Sequence, residues 1–345
     1  MMEWNEYKDR FTKKAEQSGY KESYIEKNLA YAEVIVKKGY PIIYDVVHLS
    51  KLVGVSYEYI FKVSNASKYF YRRFEIKKKN GKKRTIHEPL PLLKSVQMWI
   101  LRNILEKKEV SIYAKAYKKE VSLKENVRFH RGQKIVMKLD VLDFFSSIEP
   151  RFVDNFFRSI GYSKNLSRVL TNICVLNHGL PQGAPTSPYL SNIVMYNLDR
   201  KISSYCRVEK IRYTRYADDM TFSGDFKPAK IIHFLKKELS KLNLELNYKK
   251  TKILRQNDRQ NVTGVVVNQK IQIDRTTRNN LRLEMYFKKK NQKKHLSNAC
   301  EAGQERKYLI GLLGRVNYGL HINEKDTVLL NYKEIIYEVL SRYRI

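Results

Sequence analysis

Cysteine is scarce in this sequence, with three residues in 345: Cys174, Cys206 and Cys300. They lie far apart, and none belongs to the closely spaced pair that a structural zinc site uses. A disulfide framework and a zinc site are therefore not expected, and the cysteine content fits a reducing compartment.

Long apolar runs are also missing. No segment approaches the roughly 20 apolar residues that span a bilayer. The first residues, Met1 to Glu6, lack the pattern of a secretory leader. We therefore expect a cytoplasmic protein with no membrane partner.

Acidic residues are few relative to basic ones. Lys and Arg number 67 against 35 Asp and Glu, a formal net charge of +32. Such a surplus predicts a polyanionic partner, nucleic acid above all. The 25 tyrosines add planar groups on which bases can stack, although most aromatic residues are expected in the core. A basic protein that is merely soluble is the alternative.

Two of the few acids are adjacent, Asp218 and Asp219. They stand between the apolar runs 211–213 and 220–222, a pattern that predicts a tight β-hairpin with acids at its tip. Adjacent carboxylates repel each other unless a cation neutralises them, and oxygen ligands favour Mg²⁺ or Mn²⁺. Taken alone, such a pair is more often a solvated turn.

A third acid, Asp140, ends the apolar run 135–139. A buried strand with one Asp at its end and a hairpin with two would supply a two-metal site for phosphoryl transfer. In such sites two ions about 3.5–4 Å apart hold the attacking and leaving oxygens. Because a carboxylate has to bridge the ions, acids from separate strands must converge.

The N-terminal third predicts helices and one basic hairpin. Residues 24–38 and 46–62 carry apolar residues at helical spacing, within a helical region spanning 1–70. Asn80-Gly81 then predicts a hairpin turn between the runs 74–79 and 82–87. This hairpin is either an edge ribbon protected by lysines or a mobile finger that holds a triphosphate or a template backbone.

The remaining segments are predicted as follows. Residues 91–107 form an amphipathic helix, and the loop 180–188 opens into another helix with Ser187 as N-cap and Pro188 as first helical residue. That loop is either a rigid connector or a place where the Gln182-Gly183 backbone approaches a substrate. Further predicted pieces are a strand-turn-strand unit at 244–253, a β segment at 261–267, and basic helices from about 275 that include Lys288–Lys290.

These motifs resemble those of bacterial reverse transcriptases, in the same order and spacing: the Asp140 strand, Pro181-Gln182-Gly183, Tyr216-Ala217-Asp218-Asp219 and Lys250-Thr251. The resemblance covers roughly residues 45–320. Within that group the chain is most similar to retron reverse transcriptases. Asn126 and His130 lie four apart as in a retron element, although Val127 stands where Ala is usual, and Val262-Thr263-Gly264 matches a second retron element.

The resemblance implies an α+β fold of the right-hand polymerase type, with fingers, palm and thumb. The expected divisions are an N-terminal helical region at 1–70, fingers at 71–134, a palm at 135–265 with an insert at 146–180, and a helical thumb at 266–345.

The resemblance also implies roles for individual residues. Asp140, Asp218 and Asp219 would bind two Mg²⁺ ions, with Mn²⁺ as the other option, and Val141 would add its backbone carbonyl. Further roles would be triphosphate binding (Lys83, Arg84), exclusion of a 2′-OH (Phe145), contact with the nascent base pair (Gln182, Gly183), proton donation to pyrophosphate (Lys250) and RNA recognition (Asn126, His130, Val262, Thr263, Gly264).

The implied activity is RNA-directed DNA synthesis from dNTPs on a cognate noncoding RNA. It would start from a 2′-OH, leave a branched RNA–DNA hybrid, and work with an effector protein in antiphage defence. The alternatives are a group II intron-like or diversity-generating enzyme, an abortive-infection polymerase that needs no template, and a noncatalytic RNA-binding scaffold.

Overall fold

The computed structural model describes residues 4–77, 81, 83–118, 121–290 and 304–342. The predicted turn residue Asn80 and Cys300 lie outside these ranges, as do the side chains of the predicted basic run 288–290. Cys174 and Cys206 are buried, and neither forms a disulfide among the described residues. No described helix is long and apolar enough to cross a bilayer.

The N-terminal region is helical, as expected, but it is divided more finely. Its helices are α1 (Trp4–Gln17), α2 (Glu22–Lys37), α3 (Val46–Val53) and α4 (Tyr57–Asn65). The helical spacing predicted over 46–62 is divided between α3 and α4. Gly54 ends α3 in a left-handed conformation (φ +72°), and the Ser56 hydroxyl accepts the Tyr59 N–H to start α4.

The basic hairpin is confirmed. Strands β1 (Tyr71–Lys77) and β2 (Lys83–Pro89) pair antiparallel, with Tyr71 opposite Pro89 and Lys77 opposite Lys83. Helix α5 (Pro91–Asn103) follows and ends earlier than predicted, because residues Leu105–Lys107 form a short 3-10 helix.

The helices that follow are α6 (Leu123–Phe129), α7 (Pro150–Ile160), α8 (Lys164–Cys174), α9 (Ser187–Val208) and α10 (Pro228–Ser240). The predicted N-cap of α9 is wrong by one residue. Leu190 donates its N–H to the carbonyl of Thr186, so Thr186 caps the helix and Ser187 is already helical.

A four-stranded sheet carries the predicted acids. It consists of β3 (Ile135–Asp140), β4 (Arg212–Tyr216), β5 (Asp219–Gly224) and β6 (Lys252–Arg255), in the order β4-β5-β3-β6. The pairs β4–β5 and β3–β6 are both antiparallel. Every residue of β5 after Asp219 is buried, so the strand is held on both faces.

The predicted strand-turn-strand unit over 244–253 is wrong in its first half. Leu246 makes only an isolated antiparallel bridge with Val141, and Tyr248–Lys250 is a 3-10 helix before β6 begins. The β segment over 261–267 is confirmed as a small hairpin, β7 (Asn261–Val262) and β8 (Val265–Val266), to which β9 (Gln272–Ile273) is added.

Three helices follow: α11 (Arg275–Lys290), α12 (Glu305–Ile322) and α13 (Thr327–Ser341). The first two carry a surplus of basic residues as expected, whereas α13 has one lysine against two glutamates, so the prediction of a basic helix is wrong there. Their apolar residues share one core with the small sheet, including Val262, Ile273, Leu312 and Leu329. Arg278 pairs with the buried Asp326 carboxylate, which also accepts the Leu329 N–H at the start of α13.

Two compact units divide the chain. One comprises 1–118, 140–204 and 229–248, and the other comprises 119–139, 205–228 and 249–345. The division cuts β3 after Leu139 and α9 after Ser204. Asp140 is nevertheless the last residue of β3, and its place beside β5 follows from the sheet.

The glycines of α12 provide a test of its packing. Added methyl groups at Gly311 and Gly314 would meet no atom within 4 Å, whereas one at Gly319 would lie 2.5 Å from Leu329 Cδ1. We expect Gly311→Ala to raise the free energy of unfolding by about 0.5–1 kcal/mol, because alanine favours helix. Gly319→Ala should lower it by about 1–3 kcal/mol through overpacking.

Urea unfolding of the three proteins measures both effects. A Gly319→Ala variant as stable as Gly311→Ala would show that α12 and α13 are not packed as described.

Candidate active site

The structure brings the three predicted acids together. Strands β4 and β5 form a hairpin with the two-residue turn Ala217–Asp218, and Tyr216 pairs with Asp219. Asp140 ends β3, which is the neighbour of β5 in the sheet. One carboxylate oxygen each from Asp140, Asp218 and Asp219 lies within 4.8 Å of the others. This cluster of oxygen donors suits a hard divalent cation.

Asn247, which belongs to the same compact unit as Asp140, holds Asp140 by two hydrogen bonds. The Asn247 backbone N–H donates to the Asp140 carbonyl at 2.8 Å, and its side-chain Nδ2 donates to Asp140 Oδ1 at 3.1 Å. Asp140 is 5% exposed, so these bonds fix a nearly buried carboxylate. Asn247 is not among the residues that the sequence singles out, and the one local signal is its place three residues before the predicted Lys250.

The turn between β4 and β5 has a strained backbone, which a hydrogen bond from a buried arginine stabilises. Ala217 has φ +57°, a left-handed conformation that is uncommon for a residue with a Cβ atom. Backbone strain of this kind is often found at functional sites. The fully buried Arg215 donates from Nη1 to the Ala217 carbonyl at 3.1 Å. Sequence reasoning missed this role of Arg215, although an arginine in a buried strand was the available signal.

Val141, predicted to add a carbonyl ligand, is buried directly after Asp140. Val141 forms an antiparallel bridge with Leu246. Two hydrogen bonds flank the bridge: the Asn247 N–H donates to the Asp140 carbonyl, and the Leu142 N–H donates to the Glu245 carbonyl. In such an antiparallel pair the polar groups of the central residue point away from the partner strand. The Val141 carbonyl is therefore directed away from residues 245–247.

Phe145 lies in the turns that follow and is half-buried. Its ring centroid is 6.2 Å from that of Tyr117 and 5.5 Å from that of Phe144. Its carbonyl accepts the Leu180 N–H at 2.9 Å, which ties it to the start of the predicted Gly/Pro loop.

The Gln182-Gly183 backbone makes a close approach, but to strand β2. His87 donates its N–H to the Gln182 carbonyl at 2.7 Å. Gly183 has φ +126°, and a Cβ atom there would lie 2.6 Å from the His87 carbonyl oxygen. Only glycine fits this contact, so the loop is fixed to the basic hairpin within the first unit.

The predicted phosphate-binding cations are exposed. Lys83 and Arg84 begin β2, and Lys83 pairs with Glu75 at 2.8 Å. Lys250 ends the 3-10 helix that follows Asn247 and is exposed as well. Exposed lysine side chains can reach a phosphate without moving the backbone.

Comparison with known proteins identifies the family. A family model described as reverse transcriptase (RNA-dependent DNA polymerase) matches residues 76–267. The retron Ec86 reverse transcriptase of Escherichia coli is 35% identical over 72% of this chain and 79% of its own length. The chain belongs to the retron-type reverse transcriptases.

Other relatives agree with this assignment. The retron Mx65 and Mx162 reverse transcriptases of Myxococcus xanthus are 31% and 33% identical, over 68% and 57% of this chain and 60% and 47% of theirs. A telomerase structure from Candida albicans aligns with a TM-score of 0.48 at 11% identity, covering 77% of this chain and 63% of that one. The α+β polymerase fold and the RNA-directed DNA polymerase activity are assigned from family membership and not from that alignment.

The retron reverse transcriptase uses divalent metal ions, in keeping with its family, and the carboxylate triad provides the oxygen ligands for them. Three acids on two adjacent elements of one sheet fit this chemistry, because a shared carboxylate can contact both ions of a pair.

Asn126 and His130, expected to recognise RNA, are buried. Thr214 donates its hydroxyl proton to Asn126 Oδ1 at 2.6 Å, and the two ring nitrogens of His130 lie 2.7 Å from the hydroxyls of Thr214 and Ser223. Thr214 stands between the two side chains and bonds to both.

The Val-Thr-Gly element forms the turn between β7 and β8. Thr263 and Gly264 have φ +47° and +85°, as a two-residue hairpin of the I′ type requires. Val262 is in the core. A β-branched residue at positive φ is a conformational outlier, and the Thr263 hydroxyl is buried without a hydrogen-bond partner among the described residues.

His130 gives the stability of the enzyme a pH dependence. Burial, with the nearby Arg212 charge, lowers the pKa of His130 to about 3 from an ordinary value of 6.5. Below pH 6.5, His130 binds a proton in the unfolded chain but stays neutral in the folded chain. Stability should therefore fall as the pH falls from 6.5 toward 3, by about 1.4 kcal/mol per unit.

Urea unfolding of the wild type and His130→Gln at pH 7 and pH 5 measures this term. The wild type should lose about 2 kcal/mol more than the variant over this range, since other titrating groups are common to both. Equal losses would mean that His130 titrates normally and is not buried as described.

Proposed function

We propose that this enzyme copies part of a cognate structured noncoding RNA into single-stranded DNA that stays joined to the RNA as a branched hybrid. The observation that supports this proposal is that Asp140, Asp218 and Asp219 lie close together in a chain related to retron reverse transcriptases. Synthesis would start from the 2′-OH of an internal guanosine. The complex would act in the cytoplasm with an effector protein in antiphage defence.

The three aspartates would hold two Mg²⁺ ions, with the Val141 carbonyl as a further ligand. When bound, the ions supply the positive charge that lowers the pKa of the attacking hydroxyl and stabilises the leaving pyrophosphate. The residues around the acids have a separate task, which is to keep the carboxylates in place. Asn247 holds Asp140, and Arg215 holds the Ala217 carbonyl at the hairpin turn.

Basic side chains would handle the triphosphate. Lys83 and Arg84 would bind it by charge-assisted hydrogen bonds, and Lys250 would give a proton to the leaving pyrophosphate. Gln182 and Gly183 would line the nascent base pair. The support is that the loop holding them is bonded to the same strand, β2, that carries Lys83 and Arg84.

RNA recognition would use two surfaces, one on helix α6 and one at the β7–β8 turn, which contain the two retron elements. The exposed side of α6 lines a basic cavity of about 560 Å³, where phosphates of a structured RNA would bind. Thr263 and Gly264 would contact the RNA at the β7–β8 turn, and helices α11 to α13 would lie along the RNA–DNA duplex. The cations lining the cavity are Lys124, Arg128, Arg131, Lys270 and Lys325.

The nucleic acid that copurifies with the protein tests the proposal. The protein should be produced with its adjacent noncoding RNA, and bound nucleic acid resolved on denaturing gels after RNase or DNase treatment. We expect a discrete DNA whose size shifts with RNase, because DNA and RNA are covalently joined. Asp219→Asn should carry the RNA and no DNA, since it removes charge from the triad while keeping its shape.

Two results would count against this function. DNA that is indifferent to RNase and to the supplied RNA would indicate untemplated synthesis. Loss of bound RNA in Asp219→Asn would mean that the acid has a structural role.

Phe145 provides the test of sugar selection. If its ring lies under the sugar and clashes with a 2′-OH, Phe145→Ala should raise incorporation of ribonucleotides relative to deoxyribonucleotides by at least about tenfold, which corresponds to about 1.4 kcal/mol of discrimination. Primer extension with matched rNTP and dNTP concentrations measures the ratio. Phe144→Leu, a change in the buried neighbour, is the control, and an unchanged ratio in Phe145→Ala would refute the assignment.

A further inference from the structure

Helix α6 is bonded to both strands of the catalytic hairpin. On its buried side, Asn126 and His130 reach Thr214 on β4 and Ser223 on β5. On its outer side, Arg212 of β4 donates to the Phe129 carbonyl at 2.8 Å. The four buried side chains, Asn126, His130, Thr214 and Ser223, are called here the α6 latch.

The hydrogen bonds of the latch have one consistent direction. The Thr214 hydroxyl has one proton and gives it to Asn126 Oδ1. His130 Nε2 must therefore donate to Thr214, which leaves Nδ1 to accept the Ser223 hydroxyl proton. A neutral His130 with its proton on Nε2 thus joins the two strands through a single rigid ring.

The latch acts on the face of the hairpin that carries Asp219. Cross-strand partners point to the same side of a sheet, as do alternate residues along a strand. Thr214 is opposite Thr221, and Arg212 is opposite Ser223, so Thr214, Ser223 and Asp219 share one face. Ser223 lies four steps along the strand from Asp219, about 13 Å at 3.3 Å per step.

Stability alone does not account for this arrangement. The Asn126 amide Nδ2 is buried with no hydrogen-bond partner in the described part of the chain, and a buried donor left in this way is destabilising. An apolar contact of the same shape would avoid that cost. What polar bonds add is direction, because they fix the distance and angle between helix and hairpin.

We propose that Thr214 and Ser223 are positioning residues of the polymerase, and that the α6 latch sets the hairpin so that Asp218 and Asp219 meet Asp140. The hydroxyl of Thr214 is the centre of the latch, because Asn126 and His130 both bond to it. This inference rests on the proposed polymerase function, and it assigns to the buried retron element a direct part in DNA synthesis.

Steady-state extension of an oligo(dT) primer on poly(rA) tests the proposal apart from any cognate RNA. Thr214→Val keeps the side-chain shape and removes the hydroxyl, while Thr214→Ser keeps the hydroxyl. We expect Thr214→Val to lower kcat at least about tenfold and to raise the half-saturating Mg²⁺ concentration, because the acids no longer converge. The KM for dTTP should change by less than about twofold.

Two further variants complete the comparison. Thr214→Ser should restore most of kcat. Thr221→Val is the matched control, since Thr221 lies on the same face and nearer to Asp219, yet its hydroxyl makes no hydrogen bond to α6 within the described ranges. Its kcat should stay near that of the wild type. Thermal melting of each variant separates loss of fold from loss of positioning.

Specific outcomes would overturn the proposal. A Thr214→Val enzyme with wild-type kcat and Mg²⁺ dependence would do so, as would equal impairment of Thr214→Val and Thr214→Ser. Loss of cognate RNA binding with unchanged kcat on poly(rA) would assign the latch to RNA recognition instead. If Thr214→Val does not fold, Ser223→Ala decides in the same assay. A wild type inactive on poly(rA) and carrying no DNA would refute the polymerase function itself.

Discussion

Repulsion between carboxylates is the constraint on which this structure depends. Three aspartates present oxygens within 4.8 Å of one another, and two unit charges 4 Å apart near a protein surface repel by about 4 kcal/mol. Asp140 and Asp219 stand at strand ends and Asp218 lies in the turn between β4 and β5, and the surrounding fold holds them there.

Two contacts on different elements provide this hold. Asn247 bonds to Asp140 through both its backbone and its side chain, and Arg215 bonds to the Ala217 carbonyl in the strained turn. Away from the acids, the close contact of Gly183 with His87 fixes the loop carrying Gln182 to strand β2. These are polar bonds and close backbone contacts, whose directionality specifies position more sharply than apolar burial does.

Under the proposed function, the buried retron element would join two tasks, RNA recognition and alignment of the acids. Its helix, α6, contributes Lys124 and Arg128 to the basic cavity, whereas its buried side is neutral and hydrogen-bonded. An RNA that contacts Lys124 or Arg128 would thus touch the same short helix that grips the hairpin through His130. Recognition of the template RNA and alignment of the acids would then share one rigid element.

The sequence by itself determined the acids, the hairpin that carries two of them and the family. These follow from local patterns: Asp218-Asp219 between apolar runs, Asp140 after another, and motifs in a fixed order. It also determined the charge that calls for a nucleic acid partner. Local errors fell at helix boundaries, as at Gly54 and Thr186.

Only the tertiary structure decided which residues position the acids. Asn247 and Arg215 were not singled out, and Asn126 and His130 were expected at a surface that contacts RNA. Arg215 bonds to Ala217 only two residues away. The partners of the other three lie 84 to 107 residues away in sequence, as Thr214 is from His130 and Asn247 is from Asp140. Periodicity and spacing report local conformation, whereas a hydrogen bond between distant segments exists only once the sheet and α6 have packed.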